Sequence, residues 1–171
     1  MVVYDADQWE RLTAVLGADL DDVGMYERAL YVAQAEATAQ PDDCVAYASC
    51  GDWATFSWFS AGSSLNSLGR YEEAAAAYDQ ARNLGLPFRM LWYQFGPYES
   101  YYGTGRYDDV IALANATLVT TSNLEESYYW RGMARLAQGD PDVARADFEA
   151  ALRYHPGWSP AVEALGQLPQ E

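Results

Sequence analysis

"GRYEEAAAAYDQAR" occupies residues 69–82 and "GRYDDVIALANATL" occupies residues 105–118. Each opens on Gly-Arg-Tyr, follows with two acids, and continues into a run of small and apolar residues. A phrase written twice in one chain is read first as an internal repeat. With the opening glycine as a ruler, the marks are Gly24, Gly69, Gly105 and Gly139; the last two intervals are 36 and 34 residues and the first is 45. Seven residues before each mark stand Gly17, Gly62, Tyr98 and Gly132. Five after stand Ala29, Ala74, Val110 and Ala144, and nine after stand Ala33, Tyr78, Ala114 and Phe148. Seventeen after come Pro41, Leu86 (with Pro87 beside it), Ser122 and Pro156.

These offsets describe a helical hairpin. A small residue on each of two antiparallel helices lets their backbones approach, and the glycine between them ends the first helix in a left-handed turn. The aromatic packs back into the pair and the proline stops the second helix. One hairpin cannot bury its apolar face alone, so copies must stack.

On these residues the chain resembles the tetratricopeptide repeat family. The resemblance is fullest in "SYYWRGMARLAQGDPDVARADFEAALRYHP", with Gly132, Gly139, Ala144, Phe148, Ala151 and Pro156 in register. It is good in "TFSWFSAGSSLNSLGRYEEAAAAYDQARNLGLP", with Trp58, Gly62, Tyr71, Ala74, Tyr78 and Ala81. The third copy departs, because Tyr98 replaces the small residue and Pro97 falls inside the first helix, where a kink is expected. The resemblance implies an all-α, right-handed solenoid of about four helix hairpins with a C-terminal capping helix. The expected divisions are a stub (1–5), a degenerate repeat (6–41), an insertion (42–53), repeats at 54–87, 88–122 and 123–157, and a capping helix and tail (158–171). Ser159 and Pro160 are expected as N-cap and first-turn residues of that last helix.

A second, narrower resemblance lies in "FRMLWYQFGPYESYYGTGRYDDVIALA" and "NLEESYYWRGMARLAQGD". These phrases are similar to repeat tails of bacterial proteins that carry a papain-fold, bacteriocin-processing-like cysteine peptidase domain. It implies an accessory domain of a larger bacterial protein, with "VVY" near residue 2 a remnant of the peptidase's last strand.

Composition narrows the function. The net charge is −15, from 25 acids against 10 bases, and every base is arginine. An acidic chain without a basic stripe repels nucleic-acid phosphates and anionic lipid, so neither is an expected partner. No apolar run approaches the roughly eighteen residues that span a bilayer. "MVVYDADQW" is too short and too acidic for a signal peptide, which leaves room for a piece cut from a longer exported protein.

No catalytic constellation can be assembled, and the chain is read as a non-enzyme without metal or cofactor. His155 is the only histidine and stands at a helix end, where it suits the dipole. "DLDD" at 19–22 lacks the glycine and terminal glutamate of a calcium loop. "GTG" at 103–105 ends a helix and does not follow a strand, so it is no phosphate loop. Cys44 and Cys50 both lie in the insertion. They are either a disulfide stapling that loop, which favours an extracytoplasmic protein, or two unbridged thiols, which favour the cytoplasm.

The chain holds 6 Trp, 14 Tyr and 5 Phe, more than a repeat framework consumes. In the family's register the second, fifth, ninth and twelfth residues of each first helix face the concave surface. These are Phe56, Phe59, Ser63 and Asn66, then Trp92, Phe95, Glu99 and Tyr102, then Glu126, Tyr129, Met133 and Leu136. That face is aromatic and acidic, and Arg11 is the one inner base the register places. It is expected to bind a protein or peptide, either an apolar or basic segment or the parent's peptidase domain, with Trp92, Phe95 and Tyr129 as anchors. Acidic C-terminal tails, which some tetratricopeptide domains clamp with basic residues, are expected not to bind. The alternative is a structural protein that stacks its repeats into homo-oligomers or filaments.

Overall fold

The computed structural model describes residues 27, 29–35, 50–86 and 94–169. Residues 29–35 are helical, and seven helices follow: α1 Cys50–Ser67, α2 Tyr71–Asn83, α3 Gly96–Gly103, α4 Tyr107–Thr120, α5 Glu125–Ala137, α6 Pro141–Tyr154 and α7 Ser159–Gln167. Among the described residues there is no strand, and no helix is long and apolar enough to cross a membrane.

Gly69, Gly105 and Gly139 take φ of 71°, 73° and 90°. Each closes the same turn, in which the next residue's amide reaches back over the helix end. Arg70 N donates to Leu65 O (2.9 Å), Arg106 N to Tyr101 O (2.8 Å) and Asp140 N to Arg135 O (3.0 Å). This satisfies carbonyls that the helix end leaves free and sets the second helix antiparallel to the first. The arginine of Gly-Arg-Tyr then pairs with the second acid, Arg70 with Glu73 and Arg106 with Asp109, both at 2.6 Å. The tyrosine is an inter-helix spacer: Tyr71 lies against Gly103, and Tyr107 lies 5.4 Å from the Tyr102 ring.

The register residues are the core. Ala74, Val110 and Ala144 are fully buried, as are Tyr78, Ala114 and Phe148. Leu30 and Ala33 of the upstream helical segment join the cluster of Ala74, Tyr78, Val110 and Ala114, while Ala144 and Phe148 form a second cluster with Ala164 and Leu168. In α1–α2 and α5–α6 the crossing is a glycine under an aromatic ring, Gly62 under Tyr78 and Gly132 under Phe148. In α3–α4 the sizes are exchanged, with Tyr98 on the first helix and Ala114 on the second, both at 0 % exposure. The Tyr98 hydroxyl donates to Thr117 Oγ1 (3.2 Å) and shares a hydrogen bond with Ser127 Oγ (3.1 Å), so it joins α3 to α4 and to α5.

Each helix packs on the next, and the first helices also pack on one another, α1 on α3, α3 on α5 and α5 on α7. The second helices α2, α4 and α6 have no comparable mutual contact among the described residues. The stack therefore curves, with the first helices on its inner side.

The structure corrects two expectations. Pro97 does not kink a longer helix: it sits in the first turn of α3, which begins only at Gly96 with Phe95 as N-cap. Its missing N–H leaves no intrahelical bond unmade there. Ser159 is not a cap either. It is the first residue of α7, behind Trp158 as N-cap, and no side-chain bond closes that end. Of the stretch expected as an insertion at 42–53, the described part belongs to α1, which begins at Cys50.

Candidate binding groove

The inner layer of first helices carries most of the residues counted from the register. Phe56 on α1 is 39 % exposed. Phe59, expected beside it on the groove, is 2 % exposed and makes an edge contact with Tyr78 at 5.0 Å. It is a core residue, because the Tyr78 ring that covers Gly62 also fills the space beside Phe59. Ser63 turns inward too, donating to Phe59 O (3.1 Å) and lying 3.2 Å from the Tyr78 hydroxyl. Burial pushes that phenol up to about 12, with the Ser63 hydrogen bond working against the shift.

Asn66 bridges α1 and α3. Its amide donates to the exposed Glu99 carboxylate, and Ser100 Oγ donates to Asn66 Oδ1 at 2.7 Å. Phe95 is half-buried against the core at the α3 N-cap, not on a helical turn. Trp92 and Cys44 lie outside the described residues, as does the Cys50 side chain, so the disulfide expectation does too.

Farther along, the half-buried rings join into one string. Tyr102 of α3 lies 5.7 Å from Trp130 of α5, Trp130 lies 5.5 Å from Tyr129, and Tyr129 lies 5.3 Å from Trp158 at the α7 N-cap. His155 stacks on Trp158 and brings Nδ1 within 3.1 Å of Glu125. Met133 and Leu136 support the string from below, packed against Ala144, Phe148, Ala164 and Leu168. Burial raises the Tyr129 and Tyr102 phenols, and the nearby Glu163 carboxylate adds to the shift at Tyr129. Burial also raises the Glu126 carboxyl, with Glu125 adding to the shift and His155 opposing it.

The register counted from the sequence includes Tyr102, Glu126 and Tyr129 of this surface but not Trp130, Trp158 or Glu163. Glu163 was legible: with Ser159 as the first residue of α7, it holds the fifth position, as Tyr129 does in α5. Trp130 and Trp158 fall between register positions, and only the packing of successive helices brings them to the string.

The arginines work elsewhere. Arg106 donates to Asp79 (2.7 Å) and lies 4.4 Å over the Tyr101 ring, while Tyr101 donates to Asp79 at 2.7 Å. Desolvation works against the Asp79 carboxylate, but these hydrogen bonds prevail and hold it below its ordinary range. Arg131 and Arg135 both reach Asp147, at 2.7 and 2.8 Å, and Arg131 also donates to Asn115 at 2.6 Å. These networks rivet one helix pair to the next on the side of the second helices. Among the described residues no group of three or more His, Cys, Asp and Glu gathers as metal ligands would.

Family models for the tetratricopeptide repeat match residues 125–158 and residues 57–82. The first covers the α5–α6 pair, and the second runs through most of α1 and α2. The chain carries tetratricopeptide repeats. No curated protein matches the sequence. Tetratricopeptide repeats generally mediate protein–protein interaction and are typically non-catalytic. In this chain the two matched pairs share the glycine-under-ring crossing, and the α3–α4 pair between them is the one that exchanges the sizes.

Proposed function

We propose that this chain is a non-catalytic interaction module that holds a segment of a partner protein along the groove formed by α1, α3, α5 and α7. The observation that carries the reading is the half-buried string Tyr102–Trp130–Tyr129–Trp158, contributed by the successive first helices α3 and α5 and the N-cap of α7. Half-buried rings of this kind are the usual energetic centres of protein interfaces. The family's general role in protein–protein interaction supports the reading, and the fold offers the groove as its inner surface. As an accessory domain of a larger bacterial protein, which the second resemblance implies, the chain would dock a client or the parent's own peptidase domain there.

A site-specific photo-cross-linker tests this. One copy of the chain carries it in place of Glu99 on α3, and another in place of Val143, 46 % exposed on α6. Both are exposed to the proteins of the native cell. The expected result is a discrete adduct from the Glu99 position and none from Val143. Adducts from Val143 alone would put the interface on the outer face and overturn the groove. Adducts with the mass of two chains would move the reading to self-assembly.

A further inference from the structure

The next inference rests on the groove reading and names the chemistry of the segment held there. Six of the seven described arginines are engaged away from the ring string, and the seventh, Arg153, lies exposed in the last turn of α6. Arg70 pairs with Glu73, Arg106 with Asp79 and Asp109, and Arg131 and Arg135 with Asp147. Arg82 donates to the Tyr101 hydroxyl, and Arg145 donates to Pro169 O. The acids of the inner layer are left over. Glu99 is held only by the neutral Asn66 amide, and Glu126 and Glu163 enter no ion pair among the described residues.

Position brings these leftover acids to the rings. Glu126 and Tyr129 are three residues apart on α5 and share a face. Glu163 is close enough on α7 for its charge to bear on the Tyr129 phenol. The inner layer thus presents half-buried tyrosine and tryptophan rings flanked by carboxylates with no arginine partner, and the one basic group beside them, His155, pairs with Glu125. Aromatic faces attract cations, and nearby carboxylates add to that attraction. An apolar segment laid over the same place would strip water from Glu126 and Glu163 and return no charge to them. An acidic segment would meet like charge within a molecule of net charge −15.

We infer that the bound segment is cationic, with an arginine or lysine side chain lying against the rings of Tyr129 and its neighbours and its charge met by Glu126 and Glu163. Charge complementarity within the aromatic groove makes the basic side chain the source of specificity and the rings the source of contact area.

The test is selection from a phage-displayed library of random dodecapeptides on the immobilised chain. The expected outcome is enrichment of arginine or lysine. Binding of the selected peptides should weaken by about tenfold or more in the Glu126→Gln/Glu163→Gln double variant and at high salt. Both substitutions are isosteric and leave the helical core intact, which circular dichroism checks. Selected peptides that lack basic residues, ignore the double variant and are lost with Tyr129→Leu or Tyr102→Leu would overturn the cationic inference while the groove stands. Enrichment of acidic residues would overturn it as well. Peptides indifferent to all of these variants, or no enrichment at all, would remove the groove reading together with the inference.

Discussion

Gly132 of α5 lies so close under Phe148 of α6 that a β-carbon on the glycine would stand 2.7 Å from Phe148 Cε1. The obstacle is the body of a fully buried ring, not the tip of a flexible chain, so neither partner can yield without opening the pair. Gly132→Ala is therefore expected to destabilise the protein by roughly 1–3 kcal/mol, despite alanine's better helix propensity. Gly166→Ala supplies the opposite sign. Nothing lies within 4 Å of its would-be β-carbon, and the substitution should be neutral or stabilise by up to about 1 kcal/mol. Urea unfolding of both variants decides the matter; equal effects would mean that the crossing at Gly132 is not tight.

Tyr98 carries the exchanged crossing, and its hydroxyl is the polar centre of three helices. Tyr98→Phe keeps the ring but leaves Ser127 Oγ without its partner at 0 % exposure, whereas Thr117 still donates to Leu113 O. A loss of about 1–2 kcal/mol is expected. Ser127→Ala added to Tyr98→Phe should recover part of it, since removing both polar partners leaves less unsatisfied. A double variant that is simply the sum of its singles would rule out the shared bond.

Asp147 is 3 % exposed and receives two arginines. Asp147→Ala strands both guanidiniums, one of which also holds Asn115 of the preceding pair. The arginines keep partial access to water, so the low end of the usual range applies, about 3 kcal/mol. Arg135→Met should cost less, because Arg131 still satisfies the carboxylate. Thermal melts of the two variants test this ordering, and its reversal would show that Arg135 is the main partner.

Alkaline pH should unfold the protein earlier than its acidic composition suggests. Burial pushes Tyr78 and Tyr101 from 10.0 up to about 12, because the folded state favours the neutral phenol. A folded pKa above the unfolded one contributes stability that is full below the unfolded value. It is lost as pH rises through the window from about 10 to about 12. Denaturation midpoints should be level below that window and fall within it, and Tyr78→Phe should lessen the fall. Tyrosinate absorbance that appears in a single step near pH 10 in the folded protein would contradict this.

The repeat was legible because its devices are local. Gly69, Gly105 and Gly139 each need only their own turn geometry, and Ala74, Val110 and Ala144 declare their burial by periodic spacing alone. Arg70 and Arg106 find their acids three residues on, within one helical turn. The groove was legible only in part, because its register assumes that every first helix starts at the same place. Pro97 delays α3, so Phe95 becomes a cap, and the large Tyr78 draws Phe59 inward although Phe59 holds the same position as Tyr129.

Helix type, turn position and the small residues of the core thus follow from the order of side chains along the chain, since each depends on neighbours within a turn or on a fixed period. The partners across helix pairs do not. Whether a ring at a given register position is core or surface depends on the volume of the residue opposite, and Gly62 with Tyr78 and Tyr98 with Ala114 solve the same crossing with opposite sizes. Asp147 with its two arginines, and Tyr129 between Trp130 and Trp158, likewise come together only when helices distant in sequence close-pack. Packing is a sum over contacts that no local pattern contains, so three-dimensional proximity alone turned scattered rings and unpaired acids into one surface.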